Sequence, residues 1–267
     1  MKNPCAIAAL MLLGTGACAG VVDDFESYTL GGSPSGIWQD ASSYIVNPSN
    51  PGPTVEVITT TDAMGNATQA VQIQDGLGSS GGIIGQVQHA SMQRMEMDVR
   101  LDQIGNGSNP NWIAATGFAQ LTDQDDINRM PQAFVYADKN SSRFRLYVSN
   151  SNGNTGFRDF GLGAHSWELD TWYRIGLGVN SETGVFEVSI VNAQTGEVLV
   201  DVLRGYNGWN SDFGQYDLAG VIDGEYGSNL GTIANMASVD NFSYVPSPGT
   251  ALALGALGLF ASHRRRT

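Results

Sequence analysis

Between Val21 and Tyr244 the apolar residues recur at every second position over many short runs, each bounded by Gly, Asn, Asp or Ser. No stretch of ordinary helical length carries an apolar stripe at a 3.6-residue period, so the pattern is that of half-buried strands. In MEMDVRL, residues 95–101, Met95, Met97, Val99 and Leu101 share one face while Glu96, Asp98 and Arg100 share the other. In RFRLYV, residues 143–148, Phe144, Leu146 and Val148 oppose Arg143, Arg145 and Tyr147. The runs 172–179, 185–191 and 197–203 repeat the alternation, and their connectors 180–184 and 192–196 both end in Gly, as hairpin loops often do. These three runs predict an antiparallel meander.

Further strands are predicted at 54–61, 69–74, 82–88, 113–121, 132–138 and 238–245. About a dozen short strands without helical crossovers predict an all-β domain, either two packed antiparallel sheets or a closed barrel. No internal repeat at a fixed period is present, which argues against a propeller or solenoid. Two stretches read as irregular: the Pro/Gly-rich residues 31–53 and the Gly/Asn/Asp-rich residues 204–236.

Composition narrows this picture. The chain has 267 residues, 42% hydrophobic and 15% charged, with 34 glycines, which suits one large β domain. Residues 1–19 combine Lys2, an apolar run from Ala6 to Leu13 and the small-x-small site Ala17-Cys18-Ala19, the pattern of a signal peptide cleaved after Ala19. Both cysteines, Cys5 and Cys18, lie inside it, so the domain, residues 20–245, is expected to fold without a disulfide. Acylation of Cys18, as in a lipoprotein, is the competing reading of this segment. Setting aside Lys2 and the three terminal arginines leaves nine of the 13 basic residues against all 26 acidic ones, a net charge of −17. Such a surface repels phosphate backbones and argues against nucleic acid as a partner.

Residues 246–267 have three parts: Pro246-Ser247-Pro248, an apolar run from Ala251 to Ala261, and Arg264-Arg265-Arg266. Eleven apolar residues rise about 16 Å as a helix against roughly 30 Å of hydrocarbon, short for a permanent anchor. The terminal arginines would stay cytoplasmic and hold the preceding domain outside. This ending resembles the sorting signal of exosortase-processed bacterial surface proteins, the PEP-CTERM type, although Ser247 stands where that motif has Glu. The resemblance implies an exosortase-like partner, transient residence of the tail in the inner membrane, and a cell-surface or extracellular destination. An unprocessed membrane tail is the alternative.

The segments DDFESY (23–28), TWYRIGLGVNSETGVFEVSIVN (171–192) and SVDNFSY (238–244) resemble the concanavalin A-like lectin/glucanase (LamG-like) jelly roll found in such surface proteins. That resemblance implies a sandwich of two antiparallel sheets, with the opening and closing segments as neighbouring strands and a concave face that often handles sugars. It makes binding of extracellular polysaccharide the leading expectation, with a ligand-free structural surface protein and a glycoside hydrolase or lyase as rivals.

Candidate chemistry is sparse. Laminarinase-like hydrolases on this fold carry a Glu-x-Asp-x-Glu strand; here Glu96 and Asp98 match, but Arg100 stands in the third place, so the paired carboxyls of a retaining glycosidase are incomplete and no catalytic residue is assigned. His89, His165 and His263 are scattered. For carbohydrate, Tyr206, Trp209, Tyr216 and Tyr226 concentrate in 204–236 among Asn207, Asn210 and Asp212, which offers rings to stack on and groups to hydrogen-bond, or rings that pin a long loop to the core. For calcium, Asp123, Asp125 and Asp126 crowd the loop 122–128 with hard oxygen ligands, and Asp223 with Glu225 forms a weaker candidate. Trp112, Trp167 and Trp172, at strand edges, are expected to pack in the core or at its rim.

Overall fold

The computed structural model describes residues 20–40, 53–75, 81–106, 112–120, 132–149, 158–206, 216–223 and 233–247. Fifteen strands lie among them: β1 (Val21–Asp23), β2 (Trp38–Asp40), β3 (Thr54–Thr61), β4 (Ala67–Gln74), β5 (Gly81–Gln86), β6 (Met92–Gln103), β7 (Trp112–Ala119), β8 (Gln132–Asp138), β9 (Arg143–Ser149), β10 (Arg158–Ser166), β11 (Trp172–Asn180), β12 (Val185–Asn192), β13 (Val198–Gly205), β14 (Leu218–Asp223) and β15 (Met236–Ser247). They form an eight-stranded sheet, ordered β13-β12-β11-β6-β15-β4-β3 with β1 also on β15, and a seven-stranded sheet, ordered β10-β9-β8-β7-β14-β5-β2. Every pairing is antiparallel. The alternation explains the layering: Met95, Met97, Val99 and Leu101 of β6 and Phe144, Leu146 and Val148 of β9 are buried in one core between the sheets. The meander β11-β12-β13 forms as the glycine-ended connectors predict. Trp167 and Trp172 are buried, their indole N–H groups donating to the carbonyls of Asp138 and Thr61.

β15 joins the two ends of the chain. Along one side it pairs with β6 from Met236 to Ser247; along the other, β4 takes Met236–Val239 and β1 takes Phe242–Tyr244. The change of partner falls at a register shift between Asp240 and Ser243, where Asn241 adopts φ 51°, in the left-handed region that asparagine tolerates. Opening and closing segments are therefore neighbours, as the resemblance implied. The strand also takes in Pro246 and Ser247, which pair with Gln93 and Met92, so the sandwich extends two residues past the boundary expected at 245. A proline fits there because β1 ends its pairing at Tyr244 and leaves that side of the strand open. Pro248 and the rest of the tail lie outside the described residues.

DDFESY has a structural reading. Asp23 accepts hydrogen bonds from the Phe25 amide (2.9 Å), the Tyr28 hydroxyl (2.7 Å) and Trp38 Nε1 (2.7 Å). Burial, and then this contact with Asp23, push the Tyr28 phenol up to about 12. The turn so held places Phe25, at φ 57°, beside Trp38, whose ring meets Phe242 of β15 edge-on at 4.8 Å.

Two expectations are corrected. Residues 204–236 are not irregular throughout: β14 lies there, between β7 and β5 in the middle of the seven-stranded sheet. Its sequence, LAGVID, is buried or half-buried on both faces over residues 218–222 and so shows no alternation. Likewise β2 falls inside 31–53, and β10, RDFGLGAHS, follows no clear period.

Replacing Asp23 with Ala strands the Phe25 amide and the Trp38 indole N–H, while the Tyr28 hydroxyl keeps the Ser35 carbonyl at 3.1 Å, and it frees the entry turn. It is expected to destabilise the domain by about 2 kcal/mol, lowering the urea midpoint, and an unchanged midpoint would show that the turn is held by ring packing alone.

Candidate functional site

The outer side of the seven-stranded sheet holds a shallow hollow. Cross-strand pairing aligns a single row over all seven strands: Asp159 (β10), Tyr147 (β9), Phe134 (β8), Gly117 (β7), Gly220 (β14), Ile84 (β5) and Gln39 (β2). Two adjacent glycines at its centre leave the floor without side chains. A Cβ at Gly117 would lie 2.1 Å from the Ala133 carbonyl oxygen, and one at Gly220 would lie 2.1 Å from that of Ile83, so neither position admits a larger residue without moving the neighbouring strand. Beside this floor Ile84, Ala119 and Leu218 form a buried apolar cluster, with Ile222 against it, separate from the main core. The space above is shallow: its volume of about 270 Å³ includes the open solvent it borders, and Ile84 and Leu218 beside it are almost fully buried.

Phe134 forms one edge of the hollow, and behind it the face of the sheet is aromatic and charged. Phe134 and Tyr147 stack with ring centroids 4.9 Å apart and planes 21° from parallel, and Tyr136 meets Phe134 edge-on at 6.0 Å. In the adjoining row Tyr136 pairs with Arg145. Asp159 binds both, accepting from Arg145 Nε at 2.8 Å and from the Tyr136 hydroxyl at 3.1 Å. Burial, reinforced by Asp159, raises the Tyr136 phenol far above its ordinary range, and the hydrogen bond to Asp159 raises Arg145. Tyr136 therefore stays a donor and Arg145 a cation across all physiological pH. On the other flank of the row lie Gln132 and its cross-strand partner Ser149, whose hydroxyl is buried and has no hydrogen-bond partner.

The described aromatic residues expected to contact carbohydrate, Tyr206 and Tyr216, do not line this hollow. Tyr216 is fully buried, stacked on Phe118 with centroids 5.9 Å apart, and Tyr206 belongs to the main core. Neither offers a ring face to a glycan: β14 draws Tyr216 into the sandwich, and Tyr206, just past the end of β13, is held by its amide donating to the Gly184 carbonyl; these two assignments are corrected. Trp209 and Tyr226, like Asp123, Asp125, Asp126 and Glu225, lie outside the described residues. Among the described residues no group of three His, Cys, Asp or Glu side chains is placed to hold a metal ion. Arg145 and Tyr147 were legible as a non-core face of 143–148. Phe134 and Tyr136 were not, because 132–138 is apolar on both faces.

The Glu-x-Asp strand lies on the other sheet, facing outward. Arg174 grips Asp98 through Nε (2.8 Å) and Nη2 (2.9 Å), and Asn241 Nδ2 donates to the same carboxylate at 3.0 Å. Glu96 is held by Arg94, which crosses the bare Cα of Gly176 to reach Glu187 and Ser189 on β12. Arg100 pairs with Asp102 at 2.6 Å and lies 5.0 Å over the Trp172 ring. Each acid of the hydrolase-like motif is thus partnered within the sheet and removed from the hollow. One carboxyl is perturbed: Asp240, buried directly across β6 from Asp98. Burial pushes it up to about 7, and the nearby Asp98 and Glu26 carboxylates add to the rise, while the Asn241 amide and the Thr68 hydroxyl oppose it.

No protein-family model matches the sequence, and no curated protein sequence matches it. Solved structures do match the fold. The cellulose-induced protein Cip1 superposes with a TM-score of 0.51 at 14% identity, covering 87% of this chain and 100% of that one. The exoplasmic/lumenal domain of VIP36, in its Ca²⁺- and mannose-bound form, superposes with a TM-score of 0.52 at 11% identity, covering 87% of this chain and 91% of that one. At these identities the likeness establishes the fold alone: an all-β, concanavalin A-like jelly-roll sandwich.

Asp240 also yields a prediction. Its carboxyl moves from an ordinary 3.8 to about 7 on folding, so the folded chain retains a proton that the unfolded chain releases between those values. The stability it contributes is whole below about pH 4 and is lost as pH rises towards 7. Asp240→Asn is expected to be more stable than wild type at pH 8, on the order of 2 kcal/mol, with the advantage shrinking by pH 5. Denaturant titrations at both pH values check this, and an equal difference at both would refute it.

Proposed function

We propose that this chain is an exported bacterial surface protein whose sandwich binds carbohydrate without cleaving it, in the hollow of the seven-stranded sheet. The observation that carries the reading is the stacked Phe134–Tyr147 pair beside a floor bared by Gly117 and Gly220. A sugar ring has an apolar C–H face that packs on aromatic carbon and a rim of hydroxyls that needs hydrogen-bonding groups. Phe134 and Gln132 line the hollow, and behind Phe134 the same face of the sheet carries Tyr147, Tyr136, Arg145 and Asp159. The mannose-bound VIP36 domain, of the same fold, lends support from its bound sugar. A non-catalytic role is supported by the pairing of Glu96 and Asp98 with Arg94 and Arg174, which leaves no free acid and nucleophile side by side.

Export rests on the signal-peptide pattern of residues 1–19, and sorting by an exosortase-like enzyme on Pro246-Ser247-Pro248, the apolar run and Arg264-Arg265-Arg266. The expected ligand is then an extracellular polysaccharide, and the expected location is the cell surface or its surrounding matrix. Calcium, present in the VIP36 complex, is a candidate cofactor through the loop 122–128.

The test is a glycan-array measurement on the purified protein and on Phe134→Ala, with calcium and with chelator. Wild type is expected to bind, and Phe134→Ala to bind at least tenfold more weakly. Loss in chelator would assign calcium a part, and persistence would dispense with it. Absence of binding to any glycan in either condition would favour a ligand-free structural surface protein.

A further inference from the structure

β15 runs on into the three-part ending of the chain. Pro246 and Ser247, the first two residues of Pro246-Ser247-Pro248, are the last two of that strand and pair with Gln93 and Met92 of β6. Pro246 lies two positions past Tyr244, on the same face of the strand, and is buried. On that face the Tyr244 hydroxyl reaches the Gln88 carbonyl and lies 3.1 Å from Gln93 Oε1, and Gln93 itself is 2% exposed. Val245 points the other way and is 55% exposed.

The amino end of the domain closes the flank of this stretch. A Cβ at Gly20 would lie 2.7 Å from the Tyr244 carbonyl oxygen and 3.8 Å from Val245 Cγ2, so the chain just ahead of β1 runs against β15 where the motif begins. Past Tyr244 the strand pairs with β6 alone, because its ladder with β4 stops at Val239 and its ladder with β1 stops at Tyr244. Residues 245–247 can therefore peel from one strand while the pairing with β4 and β1 stays intact. An enzyme that reads a short motif takes it as an extended segment whose backbone and side chains are free to meet its groove. A paired backbone and a buried proline are not free, and local opening is what frees them.

We infer, resting on the sorting reading of the tail, that the sandwich guards its own signal: β6 holds Pro246 and Ser247 in the sheet, and a sorting enzyme takes the whole motif only while the end of β15 is peeled from β6. Chains whose last strand has not yet closed are sorted first. A closed domain is sorted in proportion to the fraction of time that end is open, as in proteolysis through local opening. Three residues, Pro248, Gly249 and Thr250, separate the sheet from the apolar run, about 10 Å at full extension, which leaves such an enzyme little free chain to work on.

Thiol labelling reads the guard directly. In the full chain carrying Cys5→Ser and Cys18→Ser, Pro246→Cys is expected to react with a maleimide about tenfold more slowly in buffer than in denaturing urea, whereas Val245→Cys, at its exposed neighbour, reacts at nearly the same rate in both. Equal labelling of the two variants in buffer, with near-ultraviolet circular dichroism showing the wild-type fold in each, overturns the inference. Pulse-chase in the producing cell reads the consequence. A Gly-Ser spacer of about six residues between Val245 and Pro246 carries the motif off the sheet and is expected to speed shortening of the chain about fivefold. Wild-type and spacer chains shortened at the same rate overturn the guard and leave the sorting reading standing. Neither chain shortened, with Arg264→Ala, Arg265→Ala and Arg266→Ala together without effect, overturns the sorting reading and the inference with it, even where the labelling contrast holds.

Discussion

The structure depends on the two-sided hydrogen bonding of β15. This strand lies between β6 and the pair β4 and β1, and it is the element through which the first strand of the chain and the last become neighbours. With both cysteines confined to positions 5 and 18, the described domain contains none and has no covalent tie between its ends. Long-range strand pairing and the shared core must therefore supply what a disulfide would. The bulge at Asn241 lets one strand serve two partners on the same side, and Asp23, by holding the turn at Phe25 against Trp38 and Phe242, locks the shorter of them in place. The cost is a carboxylate pair, Asp98 and Asp240, brought face to face at the point of exchange.

The two sheets use their outer faces for different work. On the eight-stranded sheet, acids and arginines interleave so that Asp98 meets Arg174, Glu96 meets Arg94 and Asp102 meets Arg100. Such partly exposed pairs add little stability individually, but they fix register, because a slip of one residue would exchange every charge with a core methionine or valine. A motif that looks catalytic in one dimension is thus a charge ladder in three. The seven-stranded sheet shows the opposite character. Its outer face is apolar at the centre, bare at two glycines and polar only at its margins.

Where sequence and structure part company, the reason is physical in each case. Strands with one wet face announced themselves: β3, β6, β9, β11 and β12 fall within a few residues of their predicted bounds, and β8 does so too although it is covered on both faces. β14 was missed since it is covered on both sides and carries no period, and β1 and β2 since three residues are too few to show one. Tyr216 looked like a ligand-binding ring because it sits in a polar, glycine-rich neighbourhood; in the fold it is stacked on Phe118 in the interior. Tyr147 was placed on the right face, but a lone tyrosine on a strand says nothing until its neighbour is known.

Alternation by itself determined that this protein is all-β, and which face of each exposed strand points inward, because a period of two admits only one burial pattern per register; it left sandwich and barrel both open. The cysteine positions, 5 and 18, determined also that no disulfide holds the described domain. Only tertiary structure decided that the row from Asp159 to Gln39 is continuous, that Phe134 stacks on Tyr147, that Gly117 meets Gly220, and that the Glu96 strand faces away from the hollow. Such neighbours lie on strands tens to more than a hundred residues apart in the chain, and cross-strand register, which no local pattern encodes, is what sets them side by side.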